Sequence, residues 1–366
     1  MKAVVLERRG ALTYTDVAEP EPFGERPVLL RVAAVGVCGS DLLRYGSDLA
    51  YHFPLVLGHE FSAIVERAPA GGRFAAGDRV AVYPLLARAG DPWAAIGEHQ
   101  VSSGYDYFGS RRDGAFAERL WAPEANLVPI PDDVPLTHAA MVEPAAVALH
   151  AVRRAPLPAH ATALVIGGGS IGALAALWLR ILGASRVLVA DVDPRKLAQL
   201  GELGLETIDA AAGDAAEQAR ELTGGRGVDV AVEATGLPRC GQQAIEACAP
   251  RGQVVLLGDI HGDLVVSERH VKAILRRELT LHGTWNSRIA PAGASEWEMT
   301  LAQLRPGGGL DVAPLISHVA ELEQAPELFA AMHERRIAFA KVIFAVAEEA
   351  RAEAAARAAG GRAAAR

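Results

Sequence analysis

The sequence predicts an α/β protein: a doubly wound parallel sheet joined to an all-β unit of the barrel type. Three observations carry this. Residues 163–166 form a short apolar run that stops at the turn Gly167-Gly168-Gly169-Ser170-Ile171-Gly172, and an apolar helical stretch, 173–182, follows. Strand-like and helix-like runs then alternate as far as about residue 283. Residues 1–146 lack that rhythm and read as short strands between turns.

In chain order, the first unit offers strand patterns at 3–6, 28–35, 61–66, 79–83 and 116–121. Two short segments inside it carry chemistry. One is Gly36-Val37-Cys38-Gly39-Ser40-Asp41, and the other is Gly58-His59-Glu60, straight after the apolar Leu55-Val56-Leu57. A cysteine and a histidine 21 residues apart prove no site by themselves. A lone buried cysteine is usually a small hydrophobe. What raises a metal site here is the company. Cys38 sits in a glycine-flanked turn with two polar residues behind it, and a dinucleotide-type motif lies downstream. Glu143, in Met141-Val142-Glu143-Pro144, is a further candidate ligand.

From 147 to 285 the pattern is that of a Rossmann unit, and its glycines have separate jobs. Gly167 makes the tight turn, Gly169 lets the backbone approach a pyrophosphate, and Gly172 lets the helix pack close to the strand. Ser170 and Ile171, inside the turn, are also expected to bind the cofactor, and the N-terminus of the helix that follows offers free N–H groups to the phosphates. A second apolar strand, 186–190, closes at Asp191, 19 residues past Gly172, where an acid is expected to bind the adenosine ribose. Arg195 either stacks on the adenine or is solvated. Parallel strands are also expected at 228–232 and 253–257, ending in Glu233-Ala234-Thr235-Gly236 and Gly258-Asp259 near the nicotinamide. Residues 163–184 are about as long as a membrane span. Five glycines and Arg180 interrupt them, so a buried strand and helix explain the stretch better.

The 366 residues suggest two domains, and 51% hydrophobic content fills two cores. A net charge of −8 and a pI near 5.8 argue against nucleic acid as a main partner. Residues 1–10 show no long apolar run, and three cysteines, Cys38, Cys240 and Cys248, make no disulfide framework, so the expected compartment is the cytoplasm. Cys240 and Cys248 have no histidine company and are expected to be inert.

Taken together these motifs resemble the zinc-containing medium-chain dehydrogenase/reductase family, from residue 1 to about 344. The matching pieces are the Cys38 and His59 segments, Glu143-Pro144 with Ala148-Leu149-His150, and Gly167 to Gly172. Two further strings resemble the sorbitol and polyol branch, and galactitol-1-phosphate 5-dehydrogenase-like proteins within it. They are Tyr105-Asp106-Tyr107-Phe108-Gly109-Ser110-Arg111-Arg112-Asp113-Gly114 and Gly283-Thr284-Trp285-Asn286-Ser287. The resemblance implies a GroES-like catalytic domain over 1–146, to which 286–344 return, and an NAD-binding domain over 147–285. It implies that Cys38, His59 and an acid hold one catalytic zinc (Zn²⁺), with Glu60 a direct ligand or Glu143 bound directly or through water. Ser40 would relay the proton. Asp41 would fix a ligand or charge the site, unless it is a solvated turn aspartate. The implied activity is hydride transfer between NAD and a secondary alcohol of a polyol or cyclitol, free or phosphorylated, in a dimer or tetramer. Two other readings compete. A zinc-free NADPH reductase on this scaffold would not need Cys38 and His59 together. A non-catalytic dinucleotide-binding protein would keep the glycines without a full zinc site.

One departure matters. The family's structural zinc lobe carries cysteines spaced C-x2-C-x2-C-x7-C, and those places fall here on Arg88, Asp91, Ala94 and Ser102. A structural zinc contributes ~10 kcal/mol or more, whereas a surface Arg88–Asp91 pair is worth about 0–1 kcal/mol. Trp93 and Ile96 packing inward, or a partner subunit, are expected to order the lobe; otherwise it is mobile. Nearby, one of Arg111 and Arg112 is expected to read a substrate phosphate and the other to pair with Asp113, unless both are solvated or bridge subunits. Tyr105, Tyr107 and Trp285 would line the pocket, with Asn286 bonding hydroxyls. The tail, 345–366, is rich in Ala, Arg and Glu, contains Gly360-Gly361 and lacks an apolar stripe, so a helical stub followed by disorder is expected.

Overall fold

The computed structural model describes residues 1–290 and 295–364, with side chains of the last helix described to 357. It divides into two compact units. The first comprises Met1–Glu143, Arg288–Gly308 and Ile316–Arg366, and the second Pro144–Ser287 with Gly309–Leu315. The crossings thus fall at Glu143/Pro144 and Ser287/Arg288, and a short return, 309–315, belongs to the second unit.

The second unit is built on a six-stranded sheet. Its order is Glu206–Asp209, Arg186–Asp191, Thr162–Ile166, Val228–Glu233, Cys248–Leu256, Thr280–Gly283, with every pairing parallel. Chain order reverses at Thr162–Ile166, the switch point of a doubly wound fold. That strand and its neighbours read as Val/Leu/Ile/Ala runs because helices bury both faces. The two edge strands, with sequences ETID and TLHG, are largely exposed, and so carry no apolar run. The helix Ser170–Ile181 starts inside the glycine motif, with Gly169 at its N-cap, three residues earlier than its apolar pattern. Gly167 needs its positive φ of 107°. A Cβ on Gly172 would lie 1.8 Å from the Gly167 carbonyl oxygen, so no side chain fits there.

The first unit is organised by the strand Pro27–Gly36. It pairs antiparallel with Glu60–Arg67, Arg119–Pro123 and Lys341–Ala345 in a seven-stranded sheet. The register sets Gly36 opposite both Glu60 and Ile343. Segments far apart in sequence, around 38, 60 and 341, therefore meet at one end of the sheet. Beneath it Phe116 packs edge-on against Phe329 and Phe344, each with centroids 5.6 Å away.

Two expectations fail here. Trp93 and Ile96 point outward, 52% and 66% exposed. Hydrogen bonds order the lobe instead. One oxygen of Asp91 accepts from the N–H groups of Trp93 and Ala94, capping Pro92–Ala95, and the other accepts from the N–H and hydroxyl of Ser103 at 3.0 and 3.1 Å. Those bonds lower the Asp91 pKa, and among the described residues no ion pair joins it to Arg88. The tail, likewise, is one helix, Glu348–Ala364, running through Gly360-Gly361 and docked on the first unit. Both guanidinium ends of Arg31 donate to Glu349 at 2.7 Å. Polar docking of this kind leaves no apolar stripe to read. Residues 365–366 lie outside the described residues. Among the described residues no helix is long and apolar enough to cross a membrane.

Gly172→Ala is expected to destabilise the second unit by about 1–3 kcal/mol, the scale of overpacking, and to weaken dinucleotide binding. Urea unfolding and a cofactor fluorescence titration check this, and wild-type values in both would contradict it.

Candidate active site

The strand Pro27–Gly36 runs into the helix Gly39–Gly46, with Cys38 as its N-cap. The third helical residue, Asp41, is fully buried, which removes the solvated-turn reading. Its Oδ2 accepts the Cys38 N–H at 3.0 Å, and its Oδ1 lies 3.5 Å from His59 Nδ1. A carboxylate behind one ring nitrogen fixes the imidazole and leaves Nε2 for an ion. Burial works against a charged His59, but the Asp41 carboxylate and the Cys38 sulfur outweigh it and hold the imidazole pKa well above its ordinary value. Burial opposes ionisation of Asp41 too. The charges of His59 and Arg44 and the Cys38 N–H still leave its pKa below the usual one.

Ligand-type atoms of Cys38, His59 and Glu60 lie within 4.8 Å of one another. A thiolate, an imidazole and a carboxylate at that spacing suit one Zn²⁺, with bonds of about 2.0–2.3 Å and one position open. Asp41 Oδ1 and His59 Nδ1, both buried without a hydrogen-bond partner, face each other at 3.5 Å, as a carboxylate orienting a neutral, metal-holding imidazole would. Glu60 Oε2 also sits 2.6 Å from Lys341 Nζ, with the two side chains 2% and 3% exposed. Lys341 donates to the Val37 carbonyl at 3.1 Å as well. Burial alone would lower its pKa, yet Glu60, Cys38 and Glu143 raise it above the ordinary value. Sequence reasoning missed Lys341. Its signal was a lysine opening an otherwise apolar strand, Lys341–Ala345, buried throughout.

Glu143 stands apart from that three-atom group. Its Oε1 accepts from the Tyr107 hydroxyl at 3.1 Å, and the Tyr107 ring meets His59 edge-on at 5.6 Å. Burial pushes the Glu143 carboxyl up to about 7, helped by Glu60 and opposed by His59, Tyr107 and Lys341. Ser40 is half-buried on the first turn of its helix, two residues from Cys38.

The arginine turn differs from expectation. Asp113 accepts the Val56 N–H at 2.8 Å and pairs with neither arginine. Arg112 lies 3.5 Å from Asp106 and stacks on Phe23, while Arg111 stacks on Tyr51 and Tyr105 and donates to the Tyr105 carbonyl. The backbone N–H of the neighbouring Val56 segment, whose carbonyl also accepts the Gly114 N–H, is a stronger claim on Asp113 than an exposed guanidinium. Trp285 and Asn286 belong to the second unit. Trp285 is half exposed, and Asn286, at φ 54°, accepts the Ser287 N–H through its own side chain.

In the second unit the glycine turn forms a cradle. Gly169 has open space where a Cβ would stand, and Ser170 and Ile171 beside it are half-buried. Asp191 Oδ2 accepts the Gly168 N–H at 2.7 Å and Oδ1 the Asp193 N–H at 2.9 Å, so the motif itself aims this acid. Arg195 makes a two-pronged pair with Asp193, which pushes the Asp193 carboxyl down to about 2. Glu233, fully buried at its strand end, accepts the N–H groups of Thr235 and Gly236 at 2.6 and 2.9 Å and closes that turn. Burial raises the thiol pKa of Cys240, and that of Cys248 to about 12, as inert cysteines require.

In zinc-depleted protein, Lys341→Met is expected to destabilise by about 3–5 kcal/mol, because it strands a buried charge on Glu60. Adding Glu60→Gln should recover most of that loss. Urea midpoints for both variants check this, and a single-variant loss below ~1 kcal/mol would contradict a charged buried pair.

Residues 24–132 match the alcohol dehydrogenase GroES-like domain, and residues 170–310 the zinc-binding dehydrogenase domain. The chain is 34% identical over 325 residues to galactitol 1-phosphate 5-dehydrogenase of Escherichia coli (strain K12), covering 88% of this chain and 94% of that protein. It is 31% identical to sorbitol dehydrogenase of Ovis aries, over 89% and 92% of the two chains. The crystal structure of galactitol-1-phosphate dehydrogenase from Escherichia coli superposes with a TM-score of 0.88 at 32% identity, over 94% of this chain and all of that one. A protein of Sinorhizobium meliloti 1021 described as a zinc-binding dehydrogenase, bound to NADP, gives 0.84 at 30% identity, over 94% and 98%. With both domains matched and the similarity spanning nearly the whole length, this chain belongs to the zinc-containing medium-chain dehydrogenase/reductase family.

Proposed function

We propose that the chain is a zinc- and NAD-dependent dehydrogenase that oxidises a secondary alcohol of a polyol or cyclitol, free or phosphorylated, to a ketone. The observation that carries this is the Cys38–His59–Glu60 set, half-buried at the cysteine and buried at the other two, in a chain whose second unit bears a glycine cradle. A dinucleotide-binding protein without catalysis has no use for that set. Relatives named for galactitol 1-phosphate and sorbitol support the substrate class.

When bound, zinc supplies Lewis-acid activation of the substrate hydroxyl and the nicotinamide accepts the hydride. The rest is the protein's work. Cys38, His59 and one acid hold the ion, with Glu60 inside the group and Glu143 held by Tyr107 as the alternate. Asp41 keeps the imidazole oriented. Lys341 offsets the charge of Glu60 in a site that also gathers Cys38, Asp41 and Glu143. Ser40 takes the proton leaving the alcohol and passes it toward solvent. On the second unit, Asp191 receives the adenosine ribose hydroxyls and the Ser170–Ile181 helix receives the pyrophosphate. Arg111 is the candidate reader of a substrate phosphate, through whichever N–H groups its two tyrosine stacks leave accessible.

Zinc analysis with NAD-linked turnover over polyols, their phosphates and cyclitols tests this. One zinc per chain is expected, and Cys38→Ala should release it and slow turnover by roughly three decades, equivalent to several kcal/mol, while dinucleotide still binds. Two zincs per chain, or full activity in Cys38→Ala, would overturn the reading. On a phosphorylated substrate, Arg111→Ala should lose about 1.5–3 kcal/mol and little on the free alcohol; equal losses leave Arg111 structural.

The Asp191 carboxylate suits two ribose hydroxyls and repels a 2′-phosphate, so kcat/KM should favour NAD over NADP, and Asp191→Ala should narrow the gap. The NADP carried by the Sinorhizobium relative makes this comparison pointed. A higher kcat/KM with NADP in the wild type would refute NAD as the cofactor.

A further inference from the structure

The C-terminal helix, Glu348–Ala364, presents three charged residues at four-residue intervals, Glu349, Glu353 and Arg357, which share one helical face. Each meets a different part of the first unit. Glu349 takes Arg31. Glu353 Oε2 accepts the N–H of Leu136 at 2.7 Å, across 217 residues of sequence, and its other oxygen lies 3.6 Å from Arg79. Arg357 reaches the His138 ring. Leu136 and His138 both belong to the short helix Leu136–Ala139. Its N-cap is Pro135, which offers no capping side chain, so the orphan N–H is satisfied from the tail. Arg79 ties down the approach as well, donating to the carbonyls of Asp132 and Val134. The Met141 N–H bonds the His138 carbonyl, and Glu143 follows two residues later.

We infer that the C-terminal helix is a polar strap that fixes Leu136–Ala139 and thereby sets where Glu143 stands in the metal site. Glu353 and Arg357 are positioning residues that touch neither ion nor substrate. The strap grips the segment at its N-terminal N–H and again at His138, so the run to Glu143 can neither slide nor rotate freely. This inference rests on the reading of Glu143 as an acid of the metal site, and its test separates the two.

Zinc affinity of the full-length protein, read by chelator competition, is compared among Glu353→Ala, Glu353→Gln, Glu349→Ala and Glu143→Ala. Glu353→Ala should bind zinc about tenfold more weakly, within the range found when a group that orients a ligand is lost. Glu353→Gln keeps an oxygen for the Leu136 N–H and should stay within about threefold of wild type. Glu349→Ala loosens the same helix away from Leu136 and should leave zinc affinity unchanged. Glu143→Ala combined with Glu353→Ala should be no worse than Glu143→Ala alone, because the strap acts through Glu143. If Glu143→Ala weakens zinc but Glu353→Ala only lowers Tm, the strap is overturned and the Glu143 reading stands. If Glu143→Ala leaves zinc affinity unchanged, both fall.

Discussion

An ammonium and a carboxylate 2.6 Å apart, both nearly sealed from water, set the terms for the first unit. Neither Lys341 nor Glu60 would tolerate burial alone. Their pairing requires three strands to be in register at one end of the sheet, because Glu60 faces Gly36 and the Lys341 strand lies on the other side. The same register delivers Cys38 and His59. A slip of one residue would turn these side chains to the other face of the sheet. The pair therefore couples the correctness of the fold to the existence of the site, and the lysine's positive charge offsets that of the acid beside it.

Much of this was legible in the sequence. The glycine turn, both of its flanking strands and Asp191 were readable because each residue type has a steric or electrostatic task that few others can do. Gly172 is the clearest case, since any side chain would strike the Gly167 carbonyl. Cys38, His59 and Glu60 were readable as a set through the family resemblance, and the fold brings them together. What stayed hidden was set by tertiary register. Lys341 is 281 residues from Glu60, and nothing local announces the pairing. Edge strands such as Thr280–Gly283 escaped because half-exposed polar residues make strands only when a neighbour pairs with them. The pairing assigned to Asp113 failed for a similar reason, since its actual partner is the Val56 N–H, 57 residues away.

Polar contacts do structural work that apolar patterning would not reveal at two further places, the tail helix and the lobe around Asp91. In both, a carboxylate satisfies helix N–H groups: Glu353 that of Leu136, and Asp91 those of Trp93 and Ala94. Such contacts are modest in energy but directional. They fix an orientation that burial of a few methyl groups would leave loose.

The lobe has a chemical consequence. Where the family resemblance implies four thiolates this chain has Arg88, Asp91, Ala94 and Ser102, and Asp91 with Ser103 closes the loop through bonds among oxygen and nitrogen. Peroxide attacks sulfur, and thiolates most readily. A lobe fastened this way has no sulfur at those four positions to oxidise or to hold an ion. Its fastening therefore calls on neither a metal ion nor a thiolate, and Cys38 is the first unit's one cysteine.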